Sequence, residues 1–204
     1  MPRAGLNQER VVAEAAGLAD AVGYEGLTLA GVAERCGVRL PSLYKHVEGI
    51  AHLRRLLATR AVRELADELG RSAVGRSGAD ALAAMAGRYR DFARRHPGGY
   101  AATLRAPDPG DEALRSASAS VLEVVFAILA GYGITGEDAV DATRMVRSAL
   151  HGFVALEAAG GFGLPRAVDR SFARLVGGLD AALAAWSPAP TTTRGAARAP
   201  LTRS

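Results

Sequence analysis

The stretch Leu27–Leu53, LTLAGVAERCGVRLPSLYKHVEGIAHL, decides the fold. It reads as two short helices joined by a tight turn, the second of them basic and aromatic on its outside. Thr28 is a side-chain N-cap, and Leu27 before it and Val32 after it are spaced as a hydrophobic staple. Leu29, Val32 and Ala33 fall on one helical face, while Glu34 and Arg35 point to water. The helix is expected to end near Cys36, because Gly37 can take positive φ at no steric cost and Val38 returns an apolar side chain to the core. A glycine-containing turn of three or four residues is the connection that a helix-turn-helix needs.

The second helix opens around Arg39 to Pro41, since proline is tolerated in a first turn where its missing N–H has no partner. Leu43 and Val47 sit four apart and face inward. Arg39, Ser42, Tyr44, Lys45 and His46 are left outside, and their donors suit phosphate oxygens and base edges. Lys45 is the only lysine in the chain. An ordinary helical hairpin with a solvated basic face is the bland alternative. Turn chemistry combined with a polar, aromatic outer face favours the DNA reading.

The order Thr28, Ala33, Gly37, Val38, Leu43, Tyr44, followed by apolar Val47 and Leu53, resembles the DNA-binding domain of the TetR family of bacterial transcriptional repressors. The match extends upstream, where Val11, Ala15, Leu18 and Ala19 form one apolar stripe of a helix packing behind the hairpin. Two positions depart from the family's pattern. The aromatic residue usual three after the tyrosine is Val47, and the lysine usual near the start of the next helix, which holds DNA backbone in the family, is Ile50. Lys45 and His46 are the residues expected to compensate.

Length and composition agree with a two-part helical protein. The chain has 204 residues, of which 49% are hydrophobic and only 5% aromatic. Ala and Leu dominate, which favours helices over sheets. No window holds eighteen apolar residues in succession and no signal-peptide pattern opens the chain, so the expected location is the cytoplasm, with no membrane partner. A single cysteine, Cys36, excludes an internal disulfide and reads as a buried spacer. The net charge of +4 supports a polyanionic partner weakly.

Past the hairpin every strong period is helical. Ile50–Leu69, Ala79–Arg95, a short turn near Tyr100–Leu104, Asp111–Tyr132, Glu137–Ala159 and Val168–Trp186 are expected helices, making about nine in all. His96 to Gly99 stop one of them, and glycines 131, 133 and 136 separate two others. The expected fold is therefore all-α. A three-helix helix-turn-helix domain spans residues 1–53, a helical effector and dimerisation domain spans 54–186, and a basic tail spans 187–204. That tail is rich in Pro, Thr, Ala and Arg, lacks acids, and is expected to be disordered.

The last two helices carry unusually small faces. Ser148, Ala149, Gly152, Ala155 and Ala159 recur on one, and Gly177, Gly178, Ala181 and Ala182 on the other, so a partner backbone can approach closely. A helix-turn-helix reads few base pairs, and symmetric dimers over palindromic half-sites are the usual route to specificity. The segment His151–Pro165, HGFVALEAAGGFGLP, followed by Ser171 and Phe172, also resembles the C-terminal domain of one TetR subgroup. That resemblance implies a four-helix dimer bundle from these helices, with Ser148, Gly152, Ala155, Ala159, Phe172, Leu175, Leu179 and Ala182 at the interface. The segment says nothing about a ligand, whereas the resemblance to the TetR family as a whole implies a small apolar or amphipathic effector. Met85, Tyr89, Phe92, Leu104, Phe126, Met145 and Phe153 could line its pocket, although the same stripe also reads as plain core.

Other chemistry finds little support. His46, His52, His96 and His151 lie on separate elements, no Cys or His pair has zinc-site spacing, and His151 between apolar neighbours reads as a core or interface residue. There is no nucleophile elbow, phosphate-cradling glycine loop or HExxH signature. Asp108, Asp111 and Glu112 read as a solvated helix start. No cofactor is expected. The sequence thus points to a regulator, most simply a ligand-released repressor binding double-stranded operator DNA as a homodimer. The alternative is a helical small-molecule-binding protein or enzyme without DNA-directed function.

Overall fold

A computed structural model describes residues 5–187, and among them are eight α-helices, one 3-10 helix and no strand. The N-terminal head comprises α1 (Gln8–Val22), α2 (Leu29–Cys36), the 3-10 helix Leu40–Lys45 and the first half of α3 (Ile50–Ala73). The body adds α4 (Gly78–Arg95), α5 (Pro97–Ala102), α6 (Glu112–Ala130), α7 (Gly136–Ala158) and α8 (Val168–Ala184). The expected all-helical architecture is the observed one.

Two apolar cores organise the chain. Val11, Ala15, Ala19, Leu27, Val32, Leu43, Val47, Leu53 and Leu57 fill the head. Leu65, Leu69, Leu82, Met85, Phe92, Leu129, Leu150 and Leu183 are among those that fill the body. α3 contributes to both. Its Leu53, Leu57 and Val62 belong to the head core, whereas Ala61, Leu65 and Leu69 belong to the body core, so residue 53 lies inside a helix that runs unbroken from one to the other.

The element boundaries differ from the sequence expectations in a few places. α3 continues four residues past Leu69 to Ala73, because Gly70, Arg71 and Ser72 are tolerated where Ser72 turns its hydroxyl onto the Leu69 carbonyl at 2.7 Å. α5 starts at Pro97 rather than near Tyr100. Proline needs no N–H partner in a first turn, so the same residues that stop α4 also launch α5.

By length and composition α6 is apolar enough to cross a bilayer, with a mean hydropathy of 1.7 over a stretch of which 28% is buried. Leu114, Ala117, Ile128 and Leu129 face inward, while Leu122 and Phe126 are 41% and 37% exposed. Except for Ser187, the basic tail lies outside the described residues.

Candidate nucleic-acid interface

The reading surface is built from local signals first. The Thr28 hydroxyl accepts the Gly31 N–H at 3.1 Å, which satisfies one of the orphan donors that open α2. α2 ends where Gly37 enters the left-handed region at φ 68, and Val38 N–H bonds back to the Ala33 carbonyl at 3.0 Å. This double closure turns the chain sharply. It delivers Arg39 and the next helix to the outside.

That next helix is 3-10 rather than α. Ser42 N–H bonds the Arg39 carbonyl at 2.9 Å and His46 N–H bonds the Leu43 carbonyl at 2.8 Å, both with three-residue spacing. Pro41 removes a donor in the first turn, and six residues leave little room for a four-residue ladder to establish itself. The element is anchored by Leu43 at 0% and Val47 at 1% exposure. Val47 therefore serves as an aliphatic plug in the head core, where its branched side chain packs without an aromatic ring. At the far end Gln8 of α1 donates to the His46 carbonyl at 3.0 Å, tying the end of this helix to the start of the first.

With Leu43 and Val47 inside, Arg39, Tyr44 and Lys45 are exposed and Ser42 and His46 are half-buried. The structure thus gathers five of the sequence-selected residues on the 3-10 helix and its two cap positions, Arg39 and His46, with Thr28 capping the helix before it. Among the described residues Arg39 and Lys45 have no acidic partner, whereas neighbouring Arg35 is held by Glu14 at 3.3 Å. Exposed cations beside an exposed tyrosine have the charge and the hydrogen-bond donors that suit a polyanion. Cys36 faces the head core behind this surface, and burial pushes its thiol above the ordinary value. A thiol raised in this way is a poor nucleophile, consistent with a spacer.

Residues 82–179 match the family described as Tetracyclin repressor-like, C-terminal domain. An uncharacterized HTH-type transcriptional regulator of Mycobacterium tuberculosis is 40% identical over 162 residues, covering 77% of this chain and 72% of the relative. The uncharacterized HTH-type transcriptional regulator YobS of Bacillus subtilis is 39% identical over 157 residues, covering 76% and 81%. The chain belongs to the TetR family of HTH-type transcriptional regulators. A TetR variant from Acinetobacter baumannii AYE, solved in complex with minocycline, superposes with a TM-score of 0.63 at 26% identity, covering 88% of this chain and 96% of that one. Membership makes this protein a DNA-binding regulator, a non-enzymatic class.

The residues that the TetR resemblance suggested for an effector divide into two sets. Met85, Tyr89, Phe92 and Phe153 are buried in the body core and Met145 packs against it, while Leu104 and Phe126 are substantially exposed. A polar line runs through this region that the sequence did not single out. The Tyr89 and Tyr100 hydroxyls are 2.9 Å apart, and the Tyr100 hydroxyl lies 2.6 Å from His151 Nδ1. Burial raises both phenols above their ordinary values. Nothing near His151 forms a metal cluster among the described residues.

The suggested interface residues also divide. Ser148, Ala155, Ala159 and Ala182 lie exposed, with Gly152 and Leu175 half-buried. Phe172 and Leu179 instead face the chain's own core at 8% and 7% exposure. Phe172 lies edge-on to Phe153, centroids 5.1 Å apart, and over it sits the Arg90 guanidinium at 4.7 Å. Exposed Leu156 extends the small-residue face of α7.

Proposed function

We propose that this TetR-family regulator is a homodimeric repressor that holds a palindromic operator until a small apolar or amphipathic effector releases it. The observation that carries the reading is the set of exposed donors Arg39 and Lys45, without an acidic partner among the described residues, with Tyr44, displayed by a helix whose opposite face is locked by Leu43 and Val47. Arg39 and Ser42 lie near the start of that helix and suit base edges. Tyr44, Lys45 and His46 suit phosphates, and the Thr28 end of α2 adds a further donor to backbone. Lys45 and His46 stand in for the backbone-holding lysine that Ile50 replaces. Such a protein works where the chromosome is, in the cytoplasm.

Dimerisation is supported by the exposed small faces of α7 and α8, where Ser148, Gly152, Ala155, Ala159, Leu175 and Ala182 leave room for close backbone approach. Residues 1–53 then act as the reading domain and 54–186 as the effector and dimer domain. The effector reading draws support from the minocycline complex of the A. baumannii neighbour, which speaks of that protein. In this chain the apolar side chains around Met85, Tyr89, Phe92, Met145 and Phe153, with Leu104 and Phe126 at the surface, offer the lining. A ligand releases DNA only if it binds the released state more tightly than the DNA-bound one.

Selection of binding sequences from a random duplex library tests this directly. The expected result is a two-fold symmetric consensus bound by a dimer. Recovery of sequences without symmetry, or without any consensus, overturns the repressor reading.

A further inference from the structure

Among the described residues Ala102, Leu114 and Ala117 of the body pack into the head core, and beside these apolar contacts lies a polar joint. Asp20, on the last turn of α1, turns its carboxylate to the start of α5, where Oδ1 accepts the Gly98 N–H at 2.8 Å and the Gly99 N–H at 3.1 Å. Its Oδ2 lies 3.4 Å from His96 Nδ1. Arg95, which can only donate, lies 3.0 Å from His96 Nε2, so Nε2 accepts and Nδ1 carries the proton toward Asp20. Arg95 is itself held by Glu68 of α3 at 2.6 Å. One carboxylate of the head thus gathers three donors of the body.

The steric fit at the joint is as specific as its hydrogen bonds. A Cβ placed on Gly98 would lie 2.2 Å from the carbonyl carbon and 2.3 Å from the carbonyl oxygen of Ala19. The backbones of α1 and α5 touch there, and no side chain can stand between them. A Cβ on the adjacent Gly99 would meet only His96 Cβ at 3.5 Å and Ala61 Cβ at 3.8 Å, ordinary contact distances. The body end of α5 is fixed in turn, because Tyr100 hydrogen-bonds to Tyr89 of α4 and His151 of α7.

We infer that Asp20 is a positioning residue for DNA recognition: with Gly98 it sets the angle at which the reading head is carried on the body. It touches no DNA itself. In a dimer that angle fixes the separation of the two reading helices, which on B-DNA must match about 34 to 36 Å, one helical turn, or a multiple of it. The side chain therefore selects operator spacing, and the recognition helix selects half-site sequence. This inference rests on the dimeric reading given above.

The test measures binding of the full-length protein to one palindrome whose half-sites are kept constant while the spacer is lengthened or shortened by single base pairs. Wild type is expected to prefer one spacer. Asp20→Ala and Gly98→Ala should weaken binding at that spacer about tenfold and flatten or displace the preference, while changing affinity for an isolated half-site little. Asp20→Asn, which keeps an acceptor, and Gly99→Ala, which fits, should retain the wild-type profile. Thermal melting and dimer mass accompany each variant, so that loss through unfolding is recognised.

Should Asp20→Ala, folded and dimeric, lower binding to every spacer and to the lone half-site by one common factor, or change nothing, the positioning role is wrong. If wild type itself shows no spacer preference, the dimeric operator reading falls and the positioning role falls with it.

Discussion

Arg90 grips Glu157 inside the body through paired hydrogen bonds, Nε to Oε2 at 2.8 Å and Nη2 to Oε1 at 2.5 Å, and a second acid, Asp169, meets Nη2 at 2.8 Å. Arg90 is 7% exposed, and its guanidinium lies over the rings of both Phe153 and Phe172, so it ties α4 to α7 and α8. A charge in such a place is tolerable only while its partners are ionised.

The acid limb of stability follows from this cluster. Hydrogen bonding to Arg90 holds the Glu157 carboxyl below its ordinary value, outweighing the burial that would raise it. A carboxyl depressed in the folded state contributes stability that is complete above its unfolded value, about 4.3, and is lost as the pH falls through the folded value. Melting temperature should therefore drop below about pH 4.3 in wild type, and Glu157→Gln should show a shallower drop from a lower starting point. The substitution should cost about 2 kcal/mol at neutral pH, with Asp169 left to pair the arginine. Thermal melts from neutral to acid pH check both statements.

Leu43 is the anchor on which the recognition helix stands. Truncating it to Ala in a site at 0% exposure should cost about 2 to 5 kcal/mol and lose operator binding through the head core. Thr28→Ala removes a cap together with a proposed donor to the DNA backbone, and should cost about 1 kcal/mol of stability, with DNA binding weakened modestly. Calorimetry beside a binding titration separates the two. A Leu43→Ala protein as stable as wild type would show that the 3-10 helix is held by something else.

Much of the head was legible because its determinants are local. Thr28 and Gly37 act on residues within a few positions of themselves, and the spacing of Leu43 and Val47 reports their shared face. The 3-10 geometry was not legible, because periodicity over six residues does not distinguish a three-residue ladder from a four-residue one. Asp20 and Gly98 meet across 78 positions, and Arg90 meets Glu157 across 67. Nothing in the local pattern of either pair announces its partner. The helical spacing of Phe172, Val176, Leu179 and Leu183 marks the inward stripe of α8, and the assignment of Phe172 and Leu179 to an interface fails because that stripe is already taken by the chain's own core.

The small faces make a prediction of their own. Ala155 is exposed on α7, and Ala155→Glu would place a charge in the proposed contact between subunits. Light scattering should then find a monomer that keeps its helical content. That monomer should lose cooperative operator binding while keeping weak, salt-sensitive affinity for DNA in general. A dimer unaffected by the change would move the interface elsewhere, and the exposed Leu122 and Phe126 of α6 would be the next face to test.

Arg39 and Lys45 are proposed to read and grip DNA at the two ends of the recognition helix. Titrating the purified protein against a selected duplex and against random duplex over a range of salt concentrations, with Arg39→Ala and Lys45→Ala alongside, measures both roles. Specific binding is expected in wild type. Arg39→Ala should erase the difference between selected and random sequence, while Lys45→Ala should weaken both alike and reduce the salt slope by about one per subunit. Unchanged affinity, specificity and salt slope in both variants would contradict both roles.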